Sequence, residues 1–167
     1  MRSGTLNQRP ADKVLGVLSF VADPEMPGIS IVDLGMVGDI KWDDSGLTVT
    51  LRPTFVGCPA LAMIRRDAED RLEAALGAEA GRIEVRYSSQ DPWTSGRMAP
   101  SCFSLLKARG IAPPPAGEAP DRPFGPVACP WCGSPDTVRE SLFGPTACRA
   151  VYYCRACRNP FEAIKPV

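Results

Sequence analysis

The chain has no histidine in 167 residues. That removes Ser-His-Asp and Cys-His catalysis, the HExxH metalloprotease site and every His-ligated metal centre, so an ordinary hydrolase is a poor reading. Surplus charge is also missing: Lys+Arg and Asp+Glu both number 19, which leaves no global pull toward nucleic acid or an anionic membrane. No apolar run approaches the roughly 18 residues of a membrane span. The N-terminal "MRSGTLNQRPADK" lacks the apolar region of a secretory signal. The expected compartment is the cytoplasm, where paired cysteines stay reduced and point to metal rather than to disulfides. A redox-cofactor motif and a Gly-rich phosphate loop are absent as well, and the chain reads as a non-enzyme.

What the sequence does have is cysteine and proline, seven and 18 residues respectively. Residues 11–21, "ADKVLGVLSFV", are densely apolar and predict a helix, which "DPEMPG" stops because each proline disfavours helix in the residue before it. A strand is expected near 36–42, then a turn at "DDSG" (43–46) and a returning strand in "LTVTLRPTF". Pro59 suits a first helical position, and Leu61, Ile64, Ala68, Leu72 and Leu76 then mark one helical face. Asp67 and Arg71 make an i,i+4 pair on that helix, Gly77 or Gly81 ends it, and "RIEVRYS" (82–88) is a third strand. A short helix at 101–110 stops at Gly110. Six prolines fall within the sixteen residues 111–126, a semi-rigid linker. The expected division is an α/β domain at 1–110, the linker at 111–126 and a small tail domain at 127–167.

In the tail, Cys129 and Cys132 form one CxxC pair and Cys154 and Cys157 another, with 21 residues between the pairs. Two such turns brought together by a hairpin complete a tetrahedral tetrathiolate site, and zinc is the expected ion. A rubredoxin-like iron site has the same geometry, and buried or disulfide-bonded cysteines are the bland alternative. A tail of about 40 residues buries little core, so a metal staple is what it needs to fold. Cys148, six residues before the second pair, is either a small buried residue or a transient ligand for a delivered metal. From residue 127 onward there are five basic and three acidic residues, and a zinc tetrathiolate carries about two negative charges that cancel the excess. Nucleic-acid binding is disfavoured, and a structural or protein-docking ribbon is preferred.

In the front domain, "TFVGCPALAMI" places Cys58 just before a predicted helix. A thiol there stands by the positive end of the dipole and near unpaired N–H groups, which favour thiolate. It reads equally as a buried space-filler or as a thiolate ligand. No histidine can act as its base and no resolving cysteine lies nearby in sequence, so hydrolysis and thiol exchange are weak readings, while metal or iron–sulfur ligation needs only the thiolate. Asp23, Glu25 and Asp33 flank presumed sheet ends, either as turn and cap residues or as acids lining a shared cleft with Cys58.

The blocks "DPEMPGISIVDLGMVGDI", "RPTFVGCPALAMI", "WTSGRM" and "LLKARGIAPP" resemble the SufT-like domain of iron–sulfur assembly proteins. With the added "CPWCGSPDT…FGPTACRAVYYCRACRNPFEAIK", nearly all of residues 11–165 resembles the PaaD-type accessory subunits encoded with bacterial phenylacetyl-CoA epoxidases. The resemblance implies a small mixed-sheet α/β domain of the iron–sulfur-assembly type followed by a C-terminal zinc ribbon. It also implies a role in maturing a multicomponent oxygenase, with the iron–sulfur reductase or the di-iron subunit as client. Cys58 matches the family's metal-handling cysteine, Asp23, Glu25, Asp33 and Thr54 match its other recurrent positions, and Cys148 falls in its "TAC" block. One thiolate cannot hold a cluster alone, so a partner or a homodimer must supply further ligands. A structural or docking subunit of the oxygenase, without metal transfer, is the alternative.

Overall fold

A computed structural model describes residues 8–114, 125 and 127–165 of the chain. It divides into two compact units, Met1–Pro53 with Pro59–Pro92, and Thr54–Cys58 with Trp93–Val167. Of the Pro-rich stretch expected as linker, residues 115–124 and 126 lie outside the described residues.

The first unit contains helix α1 (Gln8–Leu18), strands β1 (Val37–Asp43) and β2 (Gly46–Leu51), helix α2 (Leu61–Ala80) and strand β3 (Ile83–Tyr87). Helix α1 stops three residues earlier than its apolar run suggests. Phe20 N–H turns back to the Val17 carbonyl and Val21 N–H to that of Leu18, so the chain tightens and leaves the helix. Val14, Leu18 and Val21 are buried, while Phe20 is left 72% exposed.

Strands β1 and β2 are antiparallel around the predicted 43–46 turn, where the Ser45 side chain and backbone N–H bind the Asp43 carboxylate and hold it below its ordinary pKa. Strand β2 is central and pairs in parallel with β3 through the α2 crossover. Parallel neighbours need such a crossover, and α2 supplies it with one apolar face. Ile64, Ala68, Leu72, Leu76 and Ala80 are the buried residues of α2 and occupy that face, while Leu47, Val49, Leu51 and Val85 are buried in the sheet. Gly81 (φ 66) ends α2, and its N–H reaches the Gly77 carbonyl. Of the two candidate stops, Gly77 is therefore inside the helix.

The second unit holds the loop Thr54–Cys58, a single 3₁₀ turn (Ser95–Arg97), helix α3 (Pro100–Ala108) and strands β4 (Ile111–Ala112), β5 (Thr137–Ser141), β6 (Arg149–Cys154) and β7 (Pro160–Ile164). The sheet order is β4-β7-β6-β5, with β5, β6 and β7 a meander and β4 parallel to β7. Ile111 and Ala112, the first residues of the Pro-rich stretch, thus extend the ribbon sheet. Ala112 joins a small core of Ala150, Tyr152, Phe161 and Ala163 around Cys129 and Cys154, with Tyr152 and Phe161 stacked at 5.7 Å between ring centroids.

Candidate metal centre and the cysteine loop

The two CxxC turns are built alike. In each, the residue after the second cysteine takes a left-handed backbone and returns its N–H to the first cysteine's carbonyl. Gly133 (φ 75) reaches Cys129 at 2.9 Å, and Arg158 (φ 61) reaches Cys154 at 2.8 Å. The first cysteine's own N–H is held by a later carbonyl, Ser134 for Cys129 and Asn159 for Cys154. The β5–β6 pairing, with Thr137 opposite Cys154, carries the turns to the same end of the sheet.

All four sulfurs lie within 4.8 Å of one another. Cys129 Sγ is 3.7 Å from Cys157 Sγ, and Cys132 Sγ is 3.6 Å from Cys154 Sγ. A disulfide would require about 2.05 Å. Sulfurs around a tetrahedral ion with bonds of about 2.3 Å sit about 3.8 Å apart, so the donor set fits a tetrathiolate centre. Cys129 and Cys154 are buried, Cys157 is half-buried and Cys132 is exposed.

The four thiols differ in how firmly they hold their protons. At Cys132 the Ser134 backbone N–H favours thiolate, but desolvation and hydrogen bonds with Cys154, Cys157 and Cys129 outweigh it and push the pKa up to about 12. At Cys157 desolvation opposes ionisation, yet the Asn159 side chain and backbone, with Cys154 and Cys132, bring the pKa down to about 7. Crowded thiols cannot all ionise without a cation between them, and a bound metal displaces the protons that remain.

Two features around this centre carried no signal in the spacing of the cysteines. The indole of Trp131, between the first pair, lies directly on Gly110 at the end of α3, where any Cβ would collide with the ring. Arg149 is buried and holds Glu162 at 2.5 Å and Thr146 Oγ1 at 2.8 Å, which fastens β6 to β7. Cys148 precedes it, half-buried, with Sγ 3.2 Å from Thr146 Oγ1 and its carbonyl accepting the Lys165 N–H.

Cys58 is half-buried, and its N–H donates to the Phe55 carbonyl at 3.1 Å. Helix α2 begins at Leu61 with Ala60 as its N-cap, so the expectation that Cys58 abuts the first helical residue is corrected. Cys58 ends a turn from Phe55 and lies two residues short of the cap, where the helix dipole gives it less support. Thr54, at the other end of this loop, belongs with Cys58 to the second unit, while Asp23, Glu25 and Asp33 belong to the first.

The three acids lie in the loop between α1 and β1, which is pinned by the Ala22–Ser30 bridge. Buried Asp23 accepts the Glu25 N–H at 2.8 Å, and Asp33 accepts the Ser30 hydroxyl at 2.6 Å while its N–H donates back to that hydroxyl. These bonds are turn-forming.

A three-stranded sheet with a crossover helix, joined to a four-cysteine ribbon, is a small mixed α/β domain followed by a module able to hold a metal. Comparison with known proteins agrees. Residues 11–85 match the family described as iron-sulfur cluster assembly protein, and residues 113–165 match the PaaD zinc beta ribbon domain. The chain is 34% identical over 169 residues, 98% of each chain, to a putative 1,2-phenylacetyl-CoA epoxidase subunit from Escherichia coli K12. It is 36% identical over 91 residues to the Fe-S protein maturation auxiliary factor YitW of Bacillus subtilis, covering 53% of this chain and 84% of that one. A crystal structure of a DUF59 domain of unknown function from Bacillus anthracis superposes with a TM-score of 0.55 at 31% identity, over 59% of this chain and 92% of that one. The chain belongs to the PaaD family.

Proposed function

We propose that this chain is a non-catalytic maturation factor for a multicomponent phenylacetyl-CoA epoxidase, assisting insertion of iron or an iron–sulfur cluster into the reductase or the di-iron subunit. The observation that carries this is the pairing, in one chain, of an iron–sulfur assembly domain shared with maturation factors and a ribbon shared with an epoxidase subunit. Cys129, Cys132, Cys154 and Cys157 hold a structural zinc, which fixes the ribbon as a docking module. Cys58 transiently ligates the iron cargo, with Asp23, Glu25, Asp33, Thr54 and Cys148 as supporting positions and the client or a second copy supplying the remaining ligands. The setting is cytoplasmic, where thiols remain reduced.

The test is metal and acid-labile sulfide analysis of anaerobically purified protein, wild type beside Cys58→Ala, together with the iron content of epoxidase subunits from cells carrying each. One zinc in both proteins, with iron reaching the clients only through wild type, is expected. Full client iron with Cys58→Ala overturns the carrier role. The second reading, a structural subunit without metal transfer, is favoured by the relative's designation as an epoxidase subunit. It predicts stoichiometric co-purification with the oxygenase and full activity for Cys58→Ser.

A further inference from the structure

The two cysteine turns share a backbone but not their cover. Ser134 and Asn159 hold the same place, each lending its carbonyl to the N–H of the first cysteine of its turn. Their side chains then differ. Asn159 gives Cys157 both its backbone N–H and its side-chain amide, and the amide nitrogen also reaches the Cys157 carbonyl at 3.2 Å. Ser134 gives Cys132 a backbone N–H alone, while its hydroxyl is turned to accept the Asp136 N–H at 3.1 Å. Gly133, between them, has no side chain, and an added Cβ would meet nothing within 4 Å, so this turn is open where its counterpart carries Arg158.

Burial follows the same asymmetry. Cys129 and Cys154 are buried, Cys157 is half-buried and Cys132 is exposed. Attack by oxidants follows thiolate character and exposure, and ligation by a metal makes all four sulfurs thiolates. Cys132 is therefore the member of the group that a small oxidant meets first. Against Cys157 it also has the thinner cover of N–H donors. Its Sγ lies 3.6 Å from that of Cys154, a gap that side-chain rotation can close to the disulfide length of about 2.05 Å.

We infer that Cys132 is the site at which a peroxide opens the metal centre, so that the ribbon keeps its zinc under reducing conditions and gives it up under oxidising ones. This rests on the reading of the four cysteines as a zinc site. The Cys132 thiolate attacks one peroxide oxygen. The S–O bond forms, the O–O bond breaks and hydroxide leaves, giving a sulfenic acid. The Cys154 thiolate then attacks that sulfur, the S–S bond forms, the S–O bond breaks and a second hydroxide leaves. Two sulfurs have lost two electrons, and one peroxide has gained them. Cys129 and Cys157 remain, two donors where zinc takes four, and the site no longer holds its ion. A dithiol reductant reverses the change by exchange with the disulfide.

The experiment treats the full-length, zinc-loaded chain with one equivalent of hydrogen peroxide, wild type beside Ser134→Asn and Asn159→Ser. A chromogenic zinc indicator follows release, and peptide mapping of the thiol-blocked, unreduced protein locates the disulfide. Wild type should lose its zinc in step with a Cys132–Cys154 disulfide, and dithiothreitol with added zinc should restore it. Ser134→Asn places at Cys132 the amide that covers Cys157, and should slow release about tenfold. Asn159→Ser removes that cover and should bring a Cys129–Cys157 disulfide into the map beside the first. Zinc content before peroxide is added separates a lost site from a changed rate. A wild type that takes up no zinc fails the metal reading and this inference with it. One that keeps its zinc while Cys58 or Cys148 is oxidised, or whose first disulfide leaves Cys132 free, overturns this inference alone.

Discussion

At Gly110 one added methyl group should have a large effect for its size. Its φ of 71° lies in the left-handed region, and the Trp131 indole covers its α-carbon. Placing alanine in that backbone costs about 1–2 kcal/mol. The methyl must also expel the indole. Trp131 is 57% exposed, so a little under half of it is covered. Losing roughly 100 Å² of contact at about 25 cal/mol per Å² is worth about 2.5 kcal/mol. Gly110→Ala should therefore loosen the α3–β4 junction by about 4 kcal/mol. Native-state hydrogen exchange across residues 110–112 and 160–164 reads it directly, and amides there should exchange several hundredfold faster. In a Trp131→Ala background the methyl has no ring to displace, and the same substitution should cost only about 1–2 kcal/mol. Equal costs in the two backgrounds would refute the docking of Trp131 on Gly110 as the source of the effect.

The remaining predictions concern the cysteine turns. Cys154→Ser, at a fully buried ligand, should abolish stoichiometric zinc and leave the β5–β7 meander sensitive to proteolysis; retention of one zinc per chain would exclude the tetrathiolate centre. Zinc affinity should rise with pH, because the metal must displace protons from thiols such as Cys132, pushed up to about 12, and lowering the pH restores them. Chelator competition measures this, and a flat profile would mean the thiols are not the ligands. Arg158→Gly should stabilise the second unit by about 1 kcal/mol by relieving a left-handed arginine, whereas Gly133→Ala should destabilise it by a similar amount. Thermal melts of the two variants must move in opposite directions.

Periodicity made most of the first unit legible. The spacing Leu61, Ile64, Ala68, Leu72, Leu76 predicts the face of α2 that the structure buries, apart from Leu61 itself, and the 43–46 turn joins β1 to β2 as expected. Helix ends were less legible, since local turns compete with helix there. Ser19–Val21 closes a tighter turn than its apolar content suggests, and α2 begins at Leu61, two residues after the Pro59 that marked its start. The four-thiol centre was legible because CxxC spacing is a geometric constraint on the chain itself. Strand β4 was not, because two residues inside a proline-rich stretch carry no period, and only pairing with β7 makes them a strand. Nor was Arg149, whose burial depends on Glu162 across the sheet.

The arrangement of the thiols separates holding a metal from passing it on. Four sulfurs within 4.8 Å would leave a tetrahedral ion no vacant position, so a metal bound there would be retained unless a ligand left. Cys58 stands outside that group, and in a chain without histidine thiolate is the anionic soft ligand available. If the ribbon docks and Cys58 carries, the two lesions must fail differently. Cys154→Ser weakens docking, a loss that mass action recovers, so raising its concentration should restore client iron. Cys58→Ala removes the ligand itself, and no concentration should restore it. Titrating each variant into a reconstitution with the apo client, and reading iron incorporated, distinguishes the roles. Recovery by excess Cys58→Ala would place the transfer step elsewhere, with Cys148 the next thiol to substitute.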